Sequence, residues 1–227
     1  MRRAAGPWTD TIHALLRHVR ARGVTEIPEP LGRDGSGREV LSFVAGDVYH
    51  YPMPDWMWDD AVLVAAAALL RRYHDATVDF RPPADARWRL PARAPAEVVC
   101  HNDFAPYNLV FRGRALAGAI DFDTASPGPR AWDLAYLAYR LVPLTAAGNP
   151  DAPATPEAER DRRLDLLCAT YGSPANAATV PPRCPSGSTR CAGSRSTAGW
   201  PTTRRCTRPT RGTPARGSGA RWFAGVA

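Results

Sequence analysis

Between residues 101 and 123 the chain spaces oxygen-bearing side chains in a way that suits phosphoryl transfer. The run His101-Asn102-Asp103-Phe104-Ala105-Pro106-Tyr107-Asn108 is followed by Gly118-Ala119-Ile120-Asp121-Phe122-Asp123. Asp103 precedes Asn108 by five positions, and Asp121 follows Asn108 by thirteen. A phosphoryl group in transfer spreads negative charge over its oxygens, so a divalent ion has to bridge them. Mg²⁺ takes oxygen ligands, few from protein and the rest from water and phosphate. Asn108 and Asp121 are expected to supply such ligands, and Asp103 to orient and deprotonate the attacking hydroxyl. A tight turn at Arg112-Gly113-Arg114 fits between them. The hairpin it closes would bring Asn108 and Asp121 to the same end of adjacent strands.

The elements that hold this segment can be read from periodicity. Ile12, Leu15, Leu16 and Val19 recur at helical spacing, so a helix is expected from Thr9 or Asp10 to about Arg22, with Gly23 as its stop. Two strands flank the turn Arg33-Asp34-Gly35-Ser36-Gly37, the second over Glu39–Val44. A second helix, capped by Asp59 or Asp60, runs to about His74, and its broad apolar face (Val62, Leu63, Ala66, Leu69, Leu70, Tyr73) predicts burial. Asp79–Pro95 reads as loop. Strands are expected at Glu97–Cys100, Leu109–Phe111 and Leu116–Ile120, and helices at Arg130–Val142 and Pro156–Tyr171. His13, His18 and His50 are taken as solvated, His101 as a hydrogen-bonded loop anchor, and Trp56, Trp58 and Trp88 as packing residues. Cys100, after two valines, reads as a buried thiol.

Composition sets the limits. The chain has 227 residues, and all 29 basic ones are arginine. The net charge of +7 is unevenly spread. Residues 1–172 carry 20 Arg against 22 acidic residues, a net of −2, whereas residues 173–227 carry 9 Arg and no acid. A nucleic-acid-binding reading would rest on that tail alone. Five cysteines without a CxxC pair argue against a zinc site. No apolar run is long enough to span a bilayer, and the N-terminus lacks a signal-peptide core, so a cytoplasmic setting is expected.

Kinase catalytic loops use an Asp and an Asn at this five-residue spacing, then a metal-binding Asp downstream. More closely, His101–Asn108 resembles the H-G-D-x-x-x-x-N motif of the aminoglycoside phosphotransferase family. Ile120-Asp121-Phe122-Asp123 resembles its I-D-[FW]-[DE] metal motif, and Trp132-Asp133-Leu134-Ala135 its W-D-L-A helix start. The resemblance covers about residues 1–172. It implies an α+β, protein-kinase-like bilobal fold, with choline and homoserine kinases as cousins. Residues 1–50 would form an incomplete small N-lobe with its hinge, and 51–172 a mainly helical C-lobe. Residues 173–227 would be an unstructured basic tail.

The same resemblance implies Asp103 as catalytic base, Asn108 and Asp121 as Mg²⁺ ligands, Asp123 at a second metal, and Asp133 as a brace for the catalytic loop. By analogy Glu39–Gly46 is the hinge whose backbone would hold the adenine, with Phe43, Val44 and Leu109 as nucleotide-binding candidates. ATP or GTP is the implied donor and a hydroxylated small molecule the acceptor. No nucleic-acid or membrane partner is expected, and the chain is expected to be a monomer.

Three departures from the family pattern shape the expectations. Met1 sits almost at the family's third strand with no glycine-rich loop before it, so Arg2 or Arg3 becomes the candidate phosphate-contacting cation. The first helix has no Glu to pair with that cation, and Asp10 or a nearby acid is the expected substitute. The tail's composition resembles GC-rich DNA translated out of frame, which suggests a frameshift near residues 173–182. Two other readings are carried alongside: a catalytically inactive remnant or immunity protein of the same fold, and a metal-dependent phosphohydrolase built on His74-Asp75 with His101 and Asp121.

Overall fold

The computed structural model describes residues 1–144 and 152–172; the tail, with Cys184, Cys191, Cys206 and the frameshift region, lies outside the described residues. Three short strands open the chain. β1 (Arg2–Arg3), β2 (Pro30–Arg33) and β3 (Glu39–Leu41) form an antiparallel sheet in the order β1-β3-β2. The turn between β2 and β3 closes because Asp34 Oδ1 accepts the Ser36 and Arg38 amides at 2.9 and 3.0 Å. The expected pair of strands therefore exists, but a third, β1, pairs with the far edge of β3. β3 stops at Leu41, three residues short of the expected Val44, so Phe43 and Val44 lie beyond the sheet.

Helix α1 (Thr9–Ala21) lies against this sheet, burying Ile12, Leu15, Leu16 and Val19 as their spacing demands. It ends at Gly23, whose φ of 85° is the left-handed stop. Its N-terminus differs from expectation. Trp8 is the cap position with no side-chain cap bond, and Thr9 Oγ1 instead accepts the Gly6 amide at 2.9 Å. The histidines also differ. His13 is 3% exposed and bonded to Glu39, and His18 is half-buried with its ring edge-on to Phe80; His50 is exposed, as expected. His13 shares the inward face of α1 with Leu16, three residues on.

The larger part is organised around α2 (Asp60–Thr77), which packs against α1, α3 (Arg130–Leu141) and α4 (Glu157–Tyr171). Ala66 and Ala67 on α2 have no exposed surface, as close helix approach requires. Asp60 does not cap α2. It binds Arg162 and Arg163 of α4 at 2.7–2.9 Å, and Arg163 reaches on to the Leu141 carbonyl at the end of α3. These contacts fasten the start of α2 and the end of α3 to the middle of α4.

Two small hairpin-like pairs carry the chemistry-bearing loops. β4 (Val98–Cys100) pairs antiparallel with β7 (Ser126–Gly128), and β5 (Leu109–Arg112) with β6 (Ala115–Ala119). β7 is not expected from the sequence, because Ser-Pro-Gly looks like a turn; Pro127 is tolerated because this sheet has only two strands. In the β5/β6 pair Leu109 faces Ala119, and the Ile120 amide donates to the Asn108 carbonyl at 2.9 Å. Asn108 and Asp121 thus start from one end of the hairpin.

Backbone hydrogen bonds tie this hairpin to the preceding segment. Asp47 and Phe111 exchange N–H···O bonds of 2.8 and 2.9 Å, and the Ala119 amide donates to the Glu26 carbonyl at 2.9 Å. At Gly118 a Cβ would lie 2.3 Å from the Glu26 carbonyl oxygen, and at Gly46 2.4 Å from that of Phe111. Backbone on both sides leaves no flexible neighbour to give way. Gly118→Ala is expected to destabilise the fold by about 1–3 kcal/mol, as overpacking does. A urea midpoint equal to that of the parent chain would count against this contact.

Candidate active site

The loop after β4 is bent at Asn102, whose φ of 66° is left-handed. Asn tolerates this conformation better than other side-chain-bearing residues, which explains how it stands where the resembling motif has Gly. The Asn102 side chain then anchors the loop. Its amide donates to the Thr124 carbonyl at 2.7 Å and to Ser126 Oγ at 2.9 Å, and its oxygen accepts from Arg93 at 3.1 Å. Thr124 returns the tie through its hydroxyl to the His101 carbonyl. His101 Nε2 faces the Ile120 carbonyl at 3.0 Å, so this nitrogen carries the proton, and Nδ1 is free to accept the Asp103 amide at 3.3 Å. His101 is thus a loop anchor.

Beneath the loop lies Asp133, fully buried in the first turn of α3. Its Oδ2 accepts the His101 amide at 2.5 Å and His74 Nε2 at 3.1 Å, and its Oδ1 accepts the Asn102 amide at 2.8 Å. Burial alone would raise its pKa. The hydrogen bond from His74, electrostatic attraction to the His74 and His101 rings and the loop amide outweigh it and hold the group below the usual carboxylate range.

His74, Cys100 and Asp133 come within 4.8 Å of one another. All their polar atoms are engaged, however: His74 Nδ1 with Tyr171 OH at 2.7 Å, and Cys100 Sγ with the Pro129 carbonyl at 3.3 Å. Burial pushes the Cys100 thiol well up, so it stays protonated. Asp75 turns to Arg71 and Arg130, away from His74. The four residues expected of a phosphohydrolase are not gathered: His74 belongs to a brace.

Asp103 is partly exposed and hydrogen-bonded on both oxygens. Oδ1 accepts from Tyr107 at 2.6 Å and Tyr136 at 3.1 Å, and Oδ2 from Asn108 Nδ2 at 2.9 Å. That amide nitrogen also donates to the Asp103 carbonyl at 2.9 Å. Because both partners are acceptors, the Asn108 amide has its nitrogen towards Asp103, and Oδ1 is left over for another ligand. Burial, then the bond to Asp103, push the Tyr107 phenol far above its ordinary value, so it remains a donor at any physiological pH.

Asp121 adopts a left-handed φ of 63° at the end of the hairpin, with half its side chain exposed, and Asp123 follows in a short 3-10 turn. Between them stands Arg3. Its Nη1 is 3.4 Å from Asp121, its Nη2 2.5 Å from Asp123, and its Nε 2.5 Å from Glu39, which is 2% exposed. Glu39 also receives His13 Nε2 at 2.9 Å. The expected acid partner for Arg3 is therefore on strand β3 rather than on α1; α1 contributes His13 instead. Burial would raise Glu39, but the bonds from His13 and Arg3 keep it below its ordinary value. Asp123 is raised, chiefly by burial and against the pull of Arg3, with Asp121 and Glu39 adding to the rise. The site gathers negative charge that a cation would satisfy.

A cavity of about 380 Å³ opens here, lined by Arg3, Asn108 and Asp121 and walled by Met1, Leu41 and Ile120. Asp103 adjoins it through Asn108. The other candidates lie elsewhere. Phe43 is 73% exposed, Val44 packs beside Gly118, and Leu109 is wholly buried; none of the three lines the cavity. Sequence reasoning missed Glu39, His13, Tyr136 and Arg140. Only the i, i+4 spacing of Tyr136 and Arg140 on α3 was available as a signal.

Comparison with known proteins gives these features a setting. Residues 85–165 match the model described as the phosphotransferase enzyme family. A relative from Rhizobium leguminosarum bv. trifolii, described as a trifolitoxin immunity protein, is 38% identical over 131 residues, which is 55% of this chain and 49% of that protein. The chain thus spans about half the length of that curated relative. Among solved structures, aminoglycoside phosphotransferase APH(3'')-Id from Streptomyces rimosus, in complex with ADP and streptomycin, is 16% identical, with 78% of this chain and 81% of that one covered and a TM-score of 0.50. ADP-bound aminoglycoside phosphotransferase APH(2'')-Ib is 13% identical, covering 75% and 68%, with a TM-score of 0.50. At such identities the likeness is one of fold: α+β and kinase-like.

Proposed function

Through residues 85–165 the chain belongs to the phosphotransferase enzyme family, and on that premise we propose that it transfers the γ-phosphoryl group of ATP or GTP to a hydroxyl of a small molecule. The observation that carries the reading is Asp103 joined to Asn108 by a 2.9 Å bond that leaves the Asn108 oxygen unspent, beside a cavity shared with Asp121. Asp103 would accept the proton of the attacking hydroxyl. Asn108 and Asp121 would hold Mg²⁺, with Asp123 at a second ion. The fit rests on donor chemistry: oxygen atoms throughout, and a surplus of carboxylate against which a guanidinium already stands. When bound, the ion supplies charge neutralisation on the transferred group.

The protein's own groups do the positioning. Tyr107 and Tyr136 fix the Asp103 carboxylate, and Asn108 fixes its other oxygen. Arg3, aligned by Glu39, offers a cation to the phosphates. Residues 1–50 would be the nucleotide-holding lobe with its hinge, and 51–172 the lobe bearing the catalytic loop.

Asn108→Ala and Asp121→Asn are expected to weaken Mg²⁺-dependent ATP or GTP binding about tenfold or more, as loss of one charged or polar ligand does. Calorimetric titration with and without Mg²⁺ reads this directly. A Mg²⁺-dependent affinity equal to the parent's in both variants would remove these residues from the metal site.

A second reading, an immunity protein that binds its target without phosphorylating it, is favoured by the 38% identity to the trifolitoxin immunity relative. Transfer of label from γ-labelled ATP or GTP to any acceptor, abolished by Asp103→Asn, separates the two.

A further inference from the structure

Asp103 Oδ1 is filled by two phenols, whereas Oδ2 holds only the Asn108 amide. A carboxylate oxygen accepts about two hydrogen bonds. Oδ2 is therefore the oxygen left for an incoming hydroxyl, and the phenols on Oδ1 border the same carboxylate. These belong to an unusual cluster. Arg140 Nη2 donates to Tyr136 OH at 3.0 Å and to Tyr107 OH at 3.5 Å, and its Nε to Tyr136 OH at 3.3 Å. Four rings, those of Tyr51, Tyr107, Tyr136 and Tyr139, lie 5.3–6.0 Å from its guanidinium carbon.

Arg3 and Arg163, which are more sheltered, each pair with a carboxylate. Among the described residues Arg140 has none, and its Nη1, with two N–H groups, has no hydrogen-bond partner. Rings stabilise such a cation only modestly. A half-buried guanidinium with unspent donors, one hydroxyl away from the reacting carboxylate, is a ready anion receptor. Its single charge balances one carboxylate. A dianion in the same place would also face Asp103 and the phosphates of a nucleotide, with no second cation in the cluster among the described residues to offset it.

We infer that Arg140 and its tyrosine rings form the acceptor subsite, and that the molecule phosphorylated at Asp103 is a hydroxylated monocarboxylate with an apolar or aromatic body. This rests on Asp103 being the base of the proposed reaction. The cationic side chain also disfavours a polyamine acceptor, whose ammonium groups would be repelled.

The test uses the full chain and two matched probes, 4-(hydroxymethyl)benzoate and 4-(hydroxymethyl)benzamide, which differ only in charge, with kanamycin as the polycation. Each is titrated calorimetrically with and without Mg²⁺ and a non-hydrolysable ATP analogue. The benzoate is expected to bind about tenfold or more tightly than the amide, the value of one charge-assisted contact, and Arg140→Gln to erase the difference. Arg140→Lys, which keeps the charge but not the fork, should retain part of it and guards against simple misfolding; the circular dichroism of both variants is compared with the parent. Equal affinity for the two probes, binding of neither, or a preference for kanamycin overturns the inference. The titrations without nucleotide remain readable if no phosphoryl transfer is found, so the failure of the catalytic reading is seen separately.

Discussion

Asp103→Asn is expected to lower phosphoryl transfer about 10²–10⁴-fold, the range for loss of a positioned general base, while the affinity for Mg²⁺-nucleotide stays close to that of the parent. The geometry makes this substitution informative. The two phenols on Oδ1 can accept as well as donate. An amide at position 103 can therefore turn its nitrogen to Tyr107 and Tyr136 and keep its oxygen towards Asn108. The loop stays in place and only the base is lost. Single-turnover transfer measured beside nucleotide titration distinguishes this from collapse of the site. Transfer at the parental rate would end the assignment of Asp103.

Asp133→Ala is expected to be the most damaging substitution for stability, by about 3–5 kcal/mol, the cost of breaking a buried charged pair. Two backbone amides, those of His101 and Asn102, and His74 Nε2 would lose their acceptor in a site with no exposed surface. Chemical denaturation should show a midpoint shift of that size. The same group makes a pH prediction. Its native pKa lies below its unfolded value, so it binds a proton more readily when unfolded. The stability it contributes is complete above the ordinary carboxylate pKa and is lost as pH falls through the depressed native value. The parent should therefore lose stability in acid more steeply than Asp133→Asn, which has no such proton to bind. Parallel acid profiles for the two chains would refute the role.

The catalytic-loop spacing was legible because it follows from chemistry that tolerates few residue types. The hairpin between Asn108 and Asp121 could be drawn from a Gly-centred turn and two apolar runs, and Asp133 and His101 do brace the loop. The helices were legible for a different reason: Ile12, Leu15, Leu16 and Val19 repeat at a period that only a helix uses. What escaped was whatever depends on distant pairing. β1 is two arginines with no strand pattern of their own, and β7 is Ser-Pro-Gly; both exist only because a partner strand lies beside them. Nothing local marks His13 as buried, because its burial is set by Glu39, 26 positions away. The Arg140 cluster brings together rings from the segment after β3, the catalytic loop and α3, and no local window contains them.

Asn102 gives the loop after β4 more than a permitted bend. A glycine there would reach the same backbone angle but would leave the segment free to sample many others until ligands arrived. With the side chain spending its donors and acceptor on Thr124, Ser126 and Arg93, the loop's configurational freedom is already surrendered at the folding stage. Substrate association then need not supply that ordering, and Asp103 waits in a geometry prepared beforehand.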